Sequence, residues 1–193
     1  RHRGATLVAQ GRVVVRWLGL DPGQKRTGVA LSSPDGAYAV PLQVLQHGAS
    51  GPELDVLRQL VEARRVDGII IGLPLSLNGA ASEQTDAVVE LARRIAAFFG
   101  VPLEMPEIAR DLYPDEAAIP SGDRSPASTG SRFRVLLWDE RLSSWEAERL
   151  VLPEASGRNR RPRARPALDA HAAAVILQSF LDDRDRAPGA APA

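Results

Sequence analysis

Apolar residues first recur in short, dense runs and only later at a helical spacing, so the chain opens as sheet and continues as alternating helix and strand. Three strands are predicted, at about Arg12–Asp21, Thr27–Ser32 and Tyr38–Leu45, the last following a Pro34-Asp35-Gly36 turn. Their connections are short and contain glycine, which reads as antiparallel hairpins. From Glu53 to Arg65 the apolar positions Leu54, Leu57, Leu60 and Val61 follow the period of a helix. Gly68-Ile69-Ile70-Ile71-Gly72 is apolar on both faces and β-branched, as expected of a central buried strand, and Leu73–Gly79 is its exit loop. Ser82 is placed to cap a long amphipathic helix carrying Val88, Val89, Leu91, Ala92, Ile95, Ala96 and Phe99. Val101–Met105 reads as the start of another strand.

The pattern then breaks. Pro106 to Arg132 is rich in Pro, Ser, Gly and Asp, which predicts a flexible insertion over 106–132. Order returns with a strand over Phe133–Trp138 that ends on Asp139-Glu140-Arg141. Ser143 with Glu146 forms a capping box opening a short helix to about Leu152. Gly157–Arg165 is a proline-broken basic loop, a last helix runs from about Ala167 to Asp182, and the tail over 184–193 is expected to fray. This order predicts an α/β, ribonuclease H-like fold. Its sheet is mixed and five-stranded, three antiparallel strands and then two parallel, with helices on both faces. A single domain is expected at 193 residues.

Composition narrows the chemistry more than it names it. With 24 basic and 24 acidic residues the net charge is zero, so a nucleic-acid partner has to be met by local basic patches. The absence of cysteine excludes disulfides, thiol catalysis and thiolate metal sites, and fits a reducing cytoplasm. His2, His47 and His171 are scattered, without zinc-binding spacing. No apolar run approaches the ~20 residues of a membrane span. Arg1, His2 and Arg3 are followed by no long apolar run, so neither a secretory leader nor a membrane partner is expected.

The chemistry concentrates where the first strand ends. The apolar run through Leu18 and Leu20 closes on Asp21, and the turn Pro22-Gly23-Gln24-Lys25-Arg26 leads into the next strand near Gly28. Asp-Pro-Gly alone is ordinary turn chemistry. The whole string, however, presents a carboxylate at a strand mouth beside two cations. Lys25 is the only lysine in the chain, a compact point charge where every other cation is a planar guanidinium. Two further acidic points end elements that the fold can bring to Asp21. Asp139 and Glu140 close the last strand, and can also be read as a solvated turn paired with Arg141. Asp169 opens the final helix on the side of Ala172, Ala173, Ile176 and Phe180, and can also be read as complementing the helix dipole. Converging carboxylates favour hard cations, Mg²⁺ or Mn²⁺. Two such ions about 3.5–4 Å apart activate water and stabilise the leaving oxygen of a phosphodiester. Lys25, Arg26 and the loop arginines Arg158, Arg160, Arg161, Arg163 and Arg165 would neutralise the flanking phosphates.

The segment from Leu20 to Ala30, Asp21-Pro22-Gly23-Gln24-Lys25-Arg26-Thr27-Gly28 at its centre, resembles the opening motif of the YqgF or RuvX family of the ribonuclease H-like superfamily. Gly72-Leu73-Pro74-Leu75 with Asn78-Gly79, Asp139-Glu140-Arg141-Leu142-Ser143-Ser144, and Asp169-Ala170 with Ala172-Ala173 match its later motifs in order. The resemblance implies a cytoplasmic bacterial nuclease that trims the 5′ end of precursor 16S rRNA, with branched DNA as the alternative substrate. It implies Asp21, Glu140 and Asp169 as the catalytic, metal-binding acids. Strand alternation lets only one of Asp139 and Glu140 face inward. It further implies substrate contacts from Lys25, Arg26, Asn78 and Ser143, to which the basic loop adds Arg160, Arg161 and Arg163. Two other classes fit parts of the pattern. An actin-like ATPase begins similarly but needs a second subdomain, for which the chain is short. An inactive nucleic-acid-binding module has no need of three acids. Structured RNA or branched DNA is the expected partner, and monomer and homodimer both remain open.

Overall fold

A computed structural model of the protein describes residues 8–9, 12–13, 15–48, 50–76, 79–114, 133–139 and 165–186. Two short strands, β1 (Val8–Ala9) and β2 (Arg12–Val13), pair only with each other. The main sheet comprises β3 (Trp17–Pro22), β4 (Arg26–Ser32), β5 (Ala39–Gln46), β6 (Gly68–Leu73), β7 (Leu103–Glu104) and β8 (Arg134–Asp139), in the spatial order β5-β4-β3-β6-β8-β7. The β3-β4-β5 meander is antiparallel, whereas β6, β8 and β7 extend the sheet parallel to β3. The sheet is mixed as expected, with six strands rather than five. The extra strand is the two-residue edge β7.

Four helices are described: α1 (Leu54–Arg64), α2 (Glu83–Phe99), α3 (Glu107–Leu112) and α4 (Arg165–Arg186). Alternation along the strands sorts side chains between two cores. Leu18, Leu20, Ile69, Ile71, Val135 and Leu137 pack toward α1 and α2. Trp17, Ala30 and Ile70 pack on the other face against Ala173, Leu177 and Phe180 of α4. Phe180 meets Trp17 and Trp138 edge-on, with ring centroids 4.8 and 5.3 Å apart, a geometry worth ~0.5–1.5 kcal/mol per pair beyond area burial. Ser82 does cap α2. Its Oγ accepts the Thr85 N–H at 3.3 Å, and its own N–H donates to Thr85 Oγ1 at 2.9 Å. The Thr85 hydroxyl also donates to the Pro74 carbonyl at 2.6 Å, tying the start of α2 to the end of β6.

Three boundaries differ from expectation. The first strand does not run unbroken from Arg12. It divides into β2 and β3, and β3 begins where the Arg16 N–H donates to Asp67 Oδ2 at 2.8 Å and the Asp67 N–H to the Arg16 carbonyl at 2.7 Å. The stretch expected to be a flexible insertion opens as α3, whose Ala109 is fully buried and whose following residue Tyr113 hydrogen-bonds Asp86, while its remainder over 115–132 lies outside the described residues. Finally, α4 spans Arg165–Arg186, longer at both ends than the expected Ala167–Asp182. The short helix expected after Ser143, the Gly157–Arg163 part of the basic loop and the tail beyond 186 lie outside the described residues.

Candidate active site

β3 is buried from Trp17 to Leu20 and delivers Asp21, half-buried, at its C-terminal end. Odd positions of the strand face α4: Trp17 belongs to that core, and a Cβ on Gly19 would lie 2.8 Å from Leu177 Cβ. Asp21 therefore points to the α4 side. The chain turns through Gly23, whose N–H donates to the Arg26 carbonyl at 2.8 Å, and returns as β4 with Gly28 directly opposite Asp21. Here the absence of a side chain is decisive. A Cβ on Gly28 would stand 2.0 Å from the Asp169 carbonyl oxygen, so α4 rests its backbone on β4 only because that residue is glycine. This close approach sets Asp169 beside Asp21.

Arg26, two residues before Gly28 on the same face, places its Nε 3.3 Å from Asp169 Oδ2, with both side chains about a third exposed at 34% and 30%. At that exposure the pair contributes no more than ~1 kcal/mol, and its value is positional. Asp169 Oδ2 is itself buried without an aligned hydrogen bond, so the Arg26 contact is ionic only. Burial, followed by the negative charge of Asp169, raises the Asp21 carboxyl from 3.8 to about 6. Asp21, Asp169, Arg26, Lys25, Gln24 and Gly23 line a cavity of about 340 Å³. Lys25 is exposed at its rim.

Two adjacent carboxylates, one with its proton affinity raised by burial and then by its neighbour, the other with a buried oxygen lacking a hydrogen bond, fit a hard divalent cation. Among the described residues they form a pair, and no group of three His, Cys, Asp or Glu side chains converges to hold a metal. Asp139 is buried, but it follows Val135 and Leu137 onto the α1–α2 side and so lies on the sheet face opposite Asp21. The pocket thus unites Asp21, Lys25, Arg26 and Asp169. Glu140, Asn78, Ser143, Arg160, Arg161 and Arg163 fall outside the described residues. On α4, Ala173, Ile176 and Phe180 are buried as expected, whereas Ala172 faces solvent. The residue that sequence reasoning undervalued is Gly28. A glycine inside an apolar strand signals close backbone approach, but what approaches is not legible locally.

Comparison with known proteins places this pocket in context. The sequence profile of RuvX, Holliday junction resolvase, matches residues 15–107 and 127–183. A "Putative pre-16S rRNA nuclease" of Zymomonas mobilis is 32% identical over 167 residues, covering 86% of this chain and 80% of that protein. The protein of the same name from Syntrophomonas wolfei is 31% identical over 168 residues, covering 87% and 94%. Among solved structures, T. thermophilus RuvC in complex with Holliday junction substrate aligns with 89% of this chain and 96% of that chain, at 13% identity and a TM-score of 0.45.

Proposed function

The chain belongs to the RuvX family, and from that premise we propose that it is a divalent-metal-dependent nuclease that hydrolyses phosphodiester bonds in the 5′-end maturation of precursor 16S rRNA. The single observation that carries the reading is the seating of Asp169 on Gly28, which sets a second carboxylate beside Asp21 in a pocket rimmed by Lys25 and Arg26. Curated relatives about 30% identical over most of the chain carry the pre-16S rRNA nuclease name.

In this mechanism Asp21 and Asp169 supply oxygen ligands, and Glu140 is the third acid. Asp139 lies on the sheet face opposite Asp21, which leaves its neighbour as the candidate of the pair. Mg²⁺ or Mn²⁺ bound there would activate water and neutralise charge on the leaving oxygen. Asp21 must be ionised to act as a ligand. Lys25, freely exposed, grips a phosphate oxygen next to the scissile bond, and Arg26 orients the phosphate while holding Asp169 in place. Asn78, Ser143, Arg160, Arg161 and Arg163 extend the contact along the substrate. A cytoplasmic location follows from such a substrate; no described helix is long and apolar enough to cross a membrane.

The name of the matched family favours a second reading, a resolvase-type endonuclease on branched DNA. One experiment separates the two and tests both. Matched precursor rRNA, single-stranded DNA and four-way junctions are incubated with the protein in Mg²⁺ or Mn²⁺. Cleavage of the rRNA precursor that Asp21→Asn abolishes is the expected outcome. Preferential junction cleavage selects the second reading, and equal cleavage by Asp21→Asn refutes the catalytic assignment.

A further inference from the structure

The β3–β4 turn has two sides, and the acidic pocket occupies only one. On the other side lies a larger groove of about 660 Å³, which shares Gly23, Gln24 and Lys25 with that pocket. Its far walls are the β5–α1 connection, with His47 and Gly51, and the flank of α2, where Ala87 is exposed and buried Leu91 lies at the base. These walls are tied together. The His47 N–H donates to the Lys25 carbonyl at 3.0 Å, and Arg94 of α2 hydrogen-bonds the Ser50 carbonyl. The Gly48 carbonyl accepts from His47 Nδ1 at 2.7 Å, so in the neutral ring Nε2 accepts the buried Thr27 hydroxyl at 2.8 Å. Gly51, at φ 83°, lets the loop close onto Leu91, where a Cβ would stand 3.0 Å from Leu91 Cδ1. The groove is therefore preformed, at a size typical of small-ligand pockets.

Resting on the nuclease reading, we propose that this groove is a nucleotide subsite that receives the unpaired base next to the scissile phosphate. Continuity carries the assignment. A strand whose phosphate sits between Lys25 and the Asp21–Asp169 pair crosses the shared turn, and its next residue arrives over the groove. The lining selects a base rather than a second phosphate. Pro22, Val88 and Leu91, all largely buried, form an apolar floor, Gln84 offers an amide, and Glu83 and Glu90 offset the charge of Lys25 and Arg94 on the same lining and accept from an exocyclic amine. A base can enter only when it is unstacked, so the subsite favours single-stranded flanks over continuous duplex.

Ala87→Trp tests this, because Ala87 is exposed on α2 and an indole there fills the groove without entering the core. Ala97→Trp, exposed on the same helix but outside the groove, serves as the control, and thermal melting confirms that both variants fold. Cleavage is measured on single-stranded substrates carrying one abasic position, scanned across the cut site. The expected result is a loss in kcat/KM on the order of tenfold for Ala87→Trp, mostly in KM, with Ala97→Trp unchanged. That loss should vanish when the abasic position is the one next to the scissile phosphate. Parental kinetics for Ala87→Trp, or a deficit indifferent to where the abasic position lies, overturns the subsite while leaving the nuclease intact. A parent that cleaves none of these substrates overturns the nuclease reading, and the subsite with it.

Discussion

Replacing Gly28 with alanine adds one methyl group at the point where the final helix touches the sheet. That carbon would lie 2.0 Å from the Asp169 carbonyl oxygen, whereas ordinary contact begins at 3.4 Å, so helix and strand must separate by about 1.4 Å. The obstructing atom is backbone, held by the packing of Leu177 and Phe180 below it, and no side-chain rotation relieves the clash. Overpacking of this kind costs ~1–3 kcal/mol. In a domain of this size that lowers Tm by roughly 2–12 °C. The larger effect should be on chemistry, since a displacement of ~1 Å at a reacting centre costs on the order of 10²-fold in rate. Differential scanning calorimetry and single-turnover cleavage in Mn²⁺ measure the two effects, with Gly48→Ala as the thermal control because nothing lies within 4 Å of its Cβ. A Gly28→Ala protein that melts and cleaves like the parent would show that the glycine does not seat Asp169, and the derivation of the acid pair would fail.

Other consequences follow from the same pocket. The Asp21 carboxyl titrates near 6 rather than 3.8, so the folded protein binds more protons than the unfolded chain between those values. Without divalent metal, stability should fall as pH rises through that window, by up to about 3 kcal/mol. Asp21→Asn should accordingly raise Tm at neutral pH while abolishing cleavage, and a Tm unchanged by the substitution contradicts the buried-charge account. Cleavage in the parent should rise with pH through about 6 as Asp21 ionises, and a flat profile across that range excludes it as a ligand. Glu140→Gln should lose cleavage, whereas Asp139→Asn, on the opposite sheet face, should cost stability and leave the chemical step within a few-fold; reversed effects would assign the third acid to Asp139. Replacing Arg160, Arg161 and Arg163 with glutamine should reduce the slope of log K against log salt by about 2 for a single-stranded substrate, and an unchanged slope removes those residues from the phosphate path.

Much of this was legible along the chain because the informative signals are local. The β-branched run Ile69–Ile71 could only be a strand covered on both faces, and Ser82 announced a helix start that the capping box with Thr85 makes. Asp21 was likewise legible as an acid ending a buried strand and Asp169 as an acid on the core-facing side of the last helix, although that helix begins four residues before it. Features set by distant partners were not. β3 starts where Asp67 clasps the Arg16 backbone across 51 residues, and the apolar positions Val13–Val15 give no hint of the break. β7 falls inside the Val101–Met105 stretch read as a strand start, but the single buried alanine of α3 is too little to establish a period. The pairing of Gly28 with Asp169 needs both the hairpin register and the docking of α4, neither of which is written near either residue.

The order in which the acids are synthesised matters as much as their final distance. Asp21 is made early and folds into the first hairpin of the main sheet, but its companion arrives on the last described helix. A polypeptide that has not yet added α4 lacks the carboxylate that Gly28 seats beside Asp21.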